Sequence, residues 1–411
     1  MTDESAPPLS PDEDRRLWRP DGPLRWLVSH GARYPETAAL MQALCARLVA
    51  EGVPLLRASW AIRTIHPQVR GATYLWRRGG ADVMETLRLH SITDDPAYID
   101  SPFRTLFETG QPLRRNLAAG ETDFPLLKEI RAEGGTDYLA LPMTFEGGWI
   151  NALAWTTDRP DGFSVSEVNL FKALCPVLSQ LLQIRVQQRV TRTLLATYLG
   201  RHASDSLLAG RVRRGDGEII RAVLWASDIK GFTEMAEAAP PAEVVSALND
   251  FFECMINAVQ GHGGDVLKFV GDGMLAIFPI EGEGRRGATC AQAVDATRQA
   301  LAGMAAVNRA RTGAGSRALD FGIGLHVGEV MLGNIGGPNR LDFTTVGAAV
   351  NQVARLENLS HALGHKAVVS KAFAEYCGLP CRSLGRHELR GIAAPQEVFA
   401  LDPASVESAA G

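Results

Sequence analysis

The sequence of 411 residues has no run of about 18 apolar residues and only six cysteines. A membrane-spanning helix needs such a run, so none is expected. Hydrophobic residues make up 46% and charged residues 21%, which excludes a disordered, collagen-like or disulfide-stapled chain. The formal net charge of −4 provides no global basic field, so nucleic acid is not an expected partner.

The six cysteines stand mostly in apolar, helix-like segments, and we expect all of them to be reduced thiols. The spacing of Cys377 and Cys381 is a weak metal-binding pattern, because no second pair lies nearby. The first residues, MTDESAPPLSPDEDRR, have neither the basic region nor the apolar core of a signal peptide. We therefore expect a cytoplasmic protein.

The pattern predicts two folded regions, with disordered tails at 1–22 and 403–411. Residues 23–163 mix helices and short strands, which is typical of one antiparallel sheet covered by helices, an α+β sensor-like module. A helix is predicted over Thr37–Val53, and Glu146-Gly147-Gly148 predicts a hairpin turn. The predicted strands cover 55–65, 72–78, 138–145 and 149–157.

A long helix is predicted to connect the two regions over 164–200. Ser164 and Glu167 form a capping-box pattern at its start. Apolar residues then repeat at spacings of four and three, at Leu170, Leu174, Val177, Leu181 and Ile184. Such a stripe packs either on its own domain or along a second copy as a parallel coiled coil, and we favour the second. A polar linker is expected over 201–218.

Residues 219–402 read as one α/β sandwich domain. Strands are predicted at 219–229, 265–270 and 274–279, and a helix is predicted from Pro241. A further hairpin is predicted from LDFGIGLHVG and EVMLGNIG, residues 319–336. A strand through LDFTTVG then leads into a helix over Ala348–His361.

Two aspartates in this second region are candidates for a metal–phosphate site. Asp228 ends an apolar strand and is followed by a short loop, where backbone N–H groups can face phosphate oxygens. Asp272 lies in a tight hairpin turn. Two such carboxylates, if close, can hold a pair of divalent ions. Taken singly, Asp228 is better explained as a helix cap and Asp272 as turn chemistry.

Three further polar residues stand out. Lys268 interrupts an otherwise apolar strand, so it must pair, bind a ligand or face solvent at a sheet edge. Asn351 and Arg355 are four residues apart on a predicted helix and share a face. Arginine offers a fork of donors for phosphate, although an ordinary solvated helix face explains the pair equally well.

Three segments resemble, in order, the class III nucleotide cyclase catalytic domain, over about 219–402. They read WASDIKGFTEM, LKFVGDGMLAIF and LDFTTVGAAVNQVARLE. The resemblance implies a ferredoxin-like α/β sandwich. It also implies that Asp228 and Asp272 bind two divalent cations, Mg or Mn, with the Ile229 carbonyl as an extra ligand.

The same resemblance implies the substrate contacts. Lys268 and Thr344 fall where the family reads the purine, and this pair implies adenine, since guanylate cyclases typically place glutamate and cysteine there. Asn351 and Arg355 match the pair that orients the ribose and stabilises the transition state. Arg390 lies where many members have a phosphate-binding lysine, and the loop residues Gly231, Phe232 and Thr233 are expected to face the triphosphate.

The implied reaction converts ATP to 3′,5′-cyclic AMP and pyrophosphate. One cation would lower the pKa of the ribose 3′-hydroxyl for in-line attack, and the other would hold the triphosphate. Family members form each site between two catalytic domains, so the resemblance implies a homodimer with two equivalent sites. His326 is expected to be an ordinary strand residue.

The region 23–163 resembles, less specifically, a GAF-type sensor domain that responds to an unknown ligand or protein. The resemblance depends on the strand–helix pattern, on GTDYLALPMTFEGGWINALAWTT and on GFSVSEVNLF. Four tryptophans are expected in its core rather than in a pocket: Trp60, Trp76, Trp149 and Trp155. The alternatives left open for the whole chain are a guanylate cyclase and a catalytically silent nucleotide-binding module, whereas the hairpin of cyclic-dinucleotide synthases is absent.

Overall fold

The computed structural model describes Arg19 and residues 22–64, 69–392 and 394–401. The expected tails lie outside these residues, apart from Arg19 and Gly22. The chain divides into two compact units, Met1–Leu194 and Leu195–Gly411, and each is described by itself. No helix among the described residues combines the length and the apolar character needed to cross a bilayer.

The described residues of the first unit contain short helices, six strands and most of a long helix that continues into the second unit. Its helices are Pro23–His30 (α1), Thr37–Ala50 (α2), Pro96–Ile99 (α3), Pro102–Thr109 (α4), Pro125–Ala132 (α5) and Val165–Leu199 (α6), with 3₁₀ turns at Gly31–Arg33 and His90–Asp94. Its strands are Leu55–Arg63 (β1), Val69–Arg77 (β2), Met84–Leu89 (β3), Leu113–Asn116 (β4), Asp137–Thr144 (β5) and Ile150–Thr157 (β6).

These strands form one antiparallel sheet in the order β3-β2-β1-β6-β5-β4. Alternate residues of a strand face opposite sides, and here the two sides differ in size. The large side chains of β1 and β6, including Trp60 and Trp155, join the cluster formed with α2 and α6. The opposite side carries small residues such as Ala61, Ala152 and Ala154. The predicted antiparallel sheet covered by helices is confirmed.

Local predictions in this unit agree with the structure at the turns. Gly147 and Gly148 adopt φ of 84° and 80° between β5 and β6, as the hairpin turn requires. The Ser164 N–H donates to Glu167 Oε2 at 2.7 Å, and the Glu167 N–H donates to Ser164 Oγ at 3.3 Å, so the capping box forms. The helix predicted over Thr37–Val53 ends at Ala50.

Three of the four tryptophans expected in the core are buried there, while Trp149 is exposed. The ring of Trp155 stacks on Phe171 of α6, with the ring centroids 4.7 Å apart. Trp149 instead lies under the guanidinium of Arg63, whose Cζ is 5.4 Å from the ring.

The long helix α6 contains Pro176, which the sequence reading passed over. Its fully buried residues are Phe171, Leu174, Leu178 and Leu182. Most of the predicted seam, up to Leu181, also packs into the core of the first unit. Ile184 does not, since it is 54% exposed. The interpretation that α6 packs on its own domain therefore holds for its first half.

The second unit contains the remaining elements. Its helices are Arg201–Leu208 (α7), Phe232–Ala238 (α8), Pro241–Gly261 (α9), Arg286–Gly313 (α10), Ala348–Leu363 (α11) and Lys371–Ala374 (α12), with a 3₁₀ turn at Glu283–Arg285. Its strands are Gly217–Ile229 (β7), Asp265–Val270 (β8), Gly273–Pro279 (β9), Phe321–Gly337 (β10), Arg340–Val346 (β11), Ala367–Ser370 (β12), Arg382–His387 (β13) and Gln396–Ala400 (β14).

The sheet of the second unit runs β13-β14-β12-β10-β7-β9-β8, and β11 pairs with β10. Both faces are covered, which explains why β7 reads as a continuous apolar run. Val223 and Trp225 face the cluster built with α9 and α10. Ala222, Leu224 and Ala226 face the cluster that includes α11. The second unit is thus a mixed α/β layer structure with a largely antiparallel sheet.

Two predictions for this unit are wrong. The hairpin expected within 319–336 does not form, because β10 continues through Gly328 and Glu329, which pair with Ala222 and Arg221 of β7. The real hairpin joins β10 to β11, with Gly337 opposite Arg340. In addition, the segment expected as a linker over 201–218 contains helix α7 and the start of β7. The Arg201 and His202 N–H groups donate to the Asp265 carboxylate, which fixes the start of α7.

Candidate active site

Asp228 and Asp272 lie together at one end of the sheet in the second unit. Asp228 is the penultimate residue of β7, and Asp272 lies in the two-residue turn between β8 and β9, where Val270 pairs with Gly273. Since β9 is the neighbour of β7, the turn brings Asp272 beside the end of β7. The two carboxyl groups are within hydrogen-bonding reach of each other.

The electrostatics of this pair are unfavourable for two ionised groups. Partial burial and the Asp272 carboxylate together raise the pKa of Asp228 to about 7. Two carboxylates at one site cannot both ionise easily, because like charges repel at short range. A bound cation removes that repulsion, so the pair suits a divalent ion.

Glycines on both neighbouring strands allow close approaches at this site, and Gly273 leaves room for the Asp228 carboxylate. A Cβ on Gly273 of β9 would lie 3.2 Å from Asp228 Oδ1. On the other side, Asp228 is paired with Gly322 of β10. A Cβ on Gly322 would lie 3.1 Å from Glu357 Oε1 and would collide with Ser360 Oγ, so helix α11 approaches the sheet closely here.

The sequence reading missed Glu357. It is 4% exposed, its carboxylate contributes to the raised pKa of Asp228, and its Oε1 lies 2.9 Å from His361 Nε2. The signal was available, because Glu357 falls on the buried face of α11 with Val353, Leu356 and Ser360. A carboxylate on an apolar helix face needs a partner.

Lys268 and Thr344 meet, although 76 residues separate them in the chain. The Lys268 Nζ donates to Thr344 Oγ1 at 2.8 Å. Strand β8 is the edge of the sheet, yet Lys268 is only half-exposed and Thr344 is buried. The edge-strand interpretation of Lys268 thus accounts for its position, but not for this contact.

Asn351 and Arg355 lie on the first half of α11, as the sequence predicts. Asn351 is exposed and Arg355 is half-buried. A Cβ on Gly391 would lie 3.3 Å from Arg355 Nη2, so the loop that carries the exposed Arg390 reaches the Arg355 guanidinium. The structure therefore brings Arg355 and the Arg390 loop together.

The loop after Asp228 forms the turn that the sequence suggests. Gly231 adopts φ of 67° and ψ of 28°, and α8 begins at Phe232. The N–H groups of Phe232 and Thr233 belong to the first turn of this helix, where no intrahelical acceptor exists. Ile229 is buried and directly follows Asp228.

Other candidate groups are structural in the described residues. His326 is buried, its Nδ1 lies 2.9 Å from Ser370 Oγ, and burial lowers its pKa to about 4. All six cysteines, which are all among the described residues, are free. Cys377 Sγ lies 3.3 Å from Cys381 Sγ. No cluster of three or more His, Cys, Asp and Glu side chains suited to a metal occurs in the described parts of the chain.

Residues 221–402 match the family model described as the adenylate and guanylate cyclase catalytic domain. This region is a class III cyclase catalytic domain. The match covers less than half of the chain, so it assigns the cyclase domain and not the whole chain.

Curated proteins are also similar to part of this chain. A stretch of 154 residues is 32% identical to the adenylate cyclase of Anabaena cylindrica and covers 37% of this chain and 30% of that protein. Another of 187 residues is 34% identical to an uncharacterized protein of Mycobacterium tuberculosis, covering 46% of this chain and 31% of the relative. The chain thus spans about a third of the length of these curated relatives.

Solved structures of cyclases are also similar to this chain. The guanylyl cyclase Cya2 is 29% identical at a TM-score of 0.40, covering 45% of this chain and 92% of that one. A bacterial light-regulated adenylyl cyclase is 21% identical at a TM-score of 0.46, covering 64% of this chain and 86% of that one. The names include both adenylyl and guanylyl cyclases, and the assignment of the cyclase domain depends on the family match alone.

Proposed function

We propose that the protein is an adenylate cyclase, which converts ATP to 3′,5′-cyclic AMP and pyrophosphate. The observation that carries the choice of adenine is the contact between Lys268 Nζ and Thr344 Oγ1. Adenine presents an acceptor at N1 and donors at N6. The Lys268 ammonium can donate to N1, and the Thr344 hydroxyl can accept a hydrogen bond from N6. Guanine instead has a donor at N1, and this donor would face the Lys268 ammonium.

Divalent cations fit the site, although no described cluster of three side-chain ligands holds one. Asp228, Asp272 and the Ile229 carbonyl would bind them, and the substrate phosphates would complete the coordination. Cyclases of this family generally use divalent metals, which lower the pKa of the attacking hydroxyl and neutralise the triphosphate. The raised pKa of Asp228 supports this assignment, because burial and Asp272 leave a negative charge there without a counterion.

The side chains proposed for the chemical step are Asn351 and Arg355. The ribose 3′-oxygen bonds to the α-phosphorus while the bond from that phosphorus to the pyrophosphate oxygen breaks, and the hydroxyl proton is released. Arg355 is proposed to meet the charge that develops on the phosphoryl oxygens, and Asn351 to orient the ribose. Arg390 is proposed to contact the phosphates, since its loop reaches Arg355. Gly231, Phe232 and Thr233 are proposed to face them through backbone N–H groups.

We propose a homodimer in which each site takes Asp228 and Asp272 from one copy and Lys268, Thr344, Asn351 and Arg355 from its partner. Cyclase domains of this family bind nucleotide and act as dimers. Apolar side chains stand exposed at the end of β8 and on the β10–β11 hairpin, at Phe269, Val270, Met331, Ile335, Leu341 and Val346. A second copy covering this surface would remove it from water.

We further propose that residues 23–163 form a GAF-like regulatory domain that responds to an unknown ligand or protein and acts on the cyclase domain. Its single antiparallel sheet with helices on both faces supports this assignment. The test is removal of residues 1–163. We expect changed cyclase activity or weakened dimerisation, and unchanged values of both would contradict the regulatory role.

The test of the enzymatic proposal is an assay of the purified full chain with ATP or GTP, each with Mg²⁺ or Mn²⁺. We expect cyclic AMP from ATP, at a kcat/KM at least about tenfold above that for GTP. Asp272→Asn serves as the inactive control. Predominant cyclic GMP would identify a guanylate cyclase, and nucleotide binding without either product would identify a silent module.

A further inference from the structure

A cavity of about 290 Å³ lies in the first unit, on the side of the sheet that carries small residues. Its floor is one face of three neighbouring strands. The cross-strand rows that form it are Ser59 opposite Leu75, Ala61 opposite Thr73, and Arg63 opposite Gly71. Alanine, serine and glycine leave the space that tryptophan and leucine fill on the opposite face. The volume is at the small end of known ligand sites.

One of these rows places an arginine on each side of a position that has no side chain. Arg63 of β1 is paired with Gly71 of β2, and Gly71 is paired with Arg88 of β3. Gly71 has no side chain, and a Cβ there would collide with the Ile62 carbonyl oxygen, so the gap is built into the backbone. Two guanidinium groups therefore flank an open position on the cavity floor.

Neither of these arginines has a carboxylate partner among the described side chains. Arg63 lies over two aromatic rings, with its Cζ 5.9 Å from Phe107 and 5.4 Å from Trp149. Arg88 Nε donates to Thr73 Oγ1 at 3.3 Å. Arg57, by contrast, is paired with Glu133 at 3.4 Å.

The rest of the lining combines apolar and hydroxyl side chains, and its arginines outnumber its carboxylates. Among the described residues, four arginines line the cavity, at Arg57, Arg63, Arg70 and Arg88, against two carboxylates, at Asp95 and Glu129. The Asp95 carboxylate already accepts the Ala97 N–H at 2.8 Å. Phe103, Phe107 and Leu126 form an apolar wall. Cations in a partly apolar cavity favour an anionic ligand, because desolvated charge needs a counterion.

We propose that this cavity binds a small organic anion, an aryl or alkyl carboxylate, held by Arg63 and Arg88 across Gly71. The apolar body of the ligand lies against Phe103 and Phe107. The carboxylate takes the fork geometry that a guanidinium offers, and the aromatic wall excludes water from the pair. Binding is independent of the cyclase chemistry, so it holds or fails separately from the proposed enzymatic function.

The test measures binding of 2-naphthoate to the purified full chain by isothermal titration calorimetry, without nucleotide or metal. Its neutral isostere 2-naphthamide is the matched probe. We expect 2-naphthamide to bind at least about tenfold more weakly, since it lacks the charge. Arg63→Gln and Arg88→Gln should each weaken 2-naphthoate binding at least about tenfold. Arg25→Gln, at an exposed arginine away from the cavity, should leave it unchanged.

Folding of the variants is checked by thermal unfolding. Arg88→Gln removes an exposed side chain bonded only to Thr73 in the described residues, so this variant keeps the test valid if Arg63→Gln destabilises the unit. Equal binding of the amide, or full binding by Arg88→Gln, would overturn the proposal. The absence of a binding heat for both probes would overturn it too.

Discussion

At the scale of single residues, the most informative feature is the pair of carboxyl groups of Asp228 and Asp272. Each aspartate has an ordinary explanation by itself, as a cap or a turn residue. The fold does not neutralise their combined negative charge, and this repulsion, together with burial, raises the pKa of Asp228. A carboxyl group with a strongly raised pKa beside a second carboxyl group is a general sign of a functional site.

The first prediction concerns Asp228→Asn in metal-free protein. Burial and Asp272 raise the pKa of Asp228 to about 7, whereas an unfolded aspartate ionises near about 3.9. Ionisation therefore opposes folding, and this destabilisation grows as the pH rises from about 4 and is complete above about 7. We expect Asp228→Asn to raise the free energy of unfolding by about 1–2 kcal/mol at pH 8, reduced by solvent screening, and not at pH 4.

Chemical denaturation in EDTA at both pH values measures this effect. Adding Mg²⁺ at about pH 8 should stabilise the wild type and remove the difference, since cation binding favours the folded state. Asp205→Asn, at an exposed aspartate of α7, is the control and should change little. Equal stability of wild type and Asp228→Asn at the higher pH would contradict the repulsive pair.

The second prediction concerns purine selection. Lys268→Met removes the donor to Thr344 Oγ1 and keeps the length of the apolar stem. We expect kcat/KM for ATP to fall at least about tenfold, because the adenine N1 loses its hydrogen-bond partner. The discrimination between ATP and GTP should fall with it. Unchanged discrimination in a competition assay would show that the purine is read elsewhere.

At the scale of elements, the apolar stripe of α6 is buried along one part of the helix and exposed farther along. Residues up to Leu182 complete the core of the first unit, and Ile184 stands exposed. Pro176 interrupts the helix without ending it. An i→i−4 hydrogen bond is lost at Pro176, so packing of the flanking residues Leu174 and Leu178 must stabilise the helix there.

The third prediction separates these two surfaces. Leu178→Ala should lower the free energy of unfolding of the first unit by about 2–5 kcal/mol, because it leaves a cavity in the core. Ile184→Ala should change it by less than about 0.5 kcal/mol, as expected for an exposed site. Ile184 belongs to the stripe that the sequence predicts to pair along a second copy, so Ile184→Ala should instead weaken self-association, measured by sedimentation equilibrium.

Tryptophan fluorescence can be used to follow the unfolding of the first unit in this experiment. Five of the described tryptophans lie in the first unit, and Trp225 is the one in the second. Trp225→Phe therefore removes the signal of the cyclase domain. A dimer dissociation constant unaffected by Ile184→Ala would exclude this part of α6 from the dimer contact.

At the scale of the whole molecule, the proposed dimer requires residues from two copies in each site. The fourth prediction is that Asp228→Ala and Arg355→Ala chains are each inactive alone and regain activity when mixed. Random pairing makes half of the dimers mixed, and each of these has one intact site, so about a quarter of wild-type activity is expected. A mixture that stays inactive while subunits exchange would contradict the shared site.

The sequence by itself determined most of what depends on neighbours along the chain. The capping box at Ser164, the turn at Gly147-Gly148 and the apolar run of β7 were predictable, because caps, turns and periodicity are local properties. The motifs around Asp228, Asp272 and Arg355 also pointed to the cyclase domain, since the family match confirms that region. The roles of the individual residues stay predictions.

Only the tertiary structure decided which distant groups meet. Gly328 and Glu329 looked like a turn, yet thirteen paired positions with β7 hold β10 straight through them. The contact between Lys268 and Thr344, the approach of Glu357 to Asp228, and the row of Arg63, Gly71 and Arg88 depend on strand order and register. A local turn fixes the register only of strands that it joins, so the pairing of distant strands such as β7 and β10 is decided by the assembled sheet.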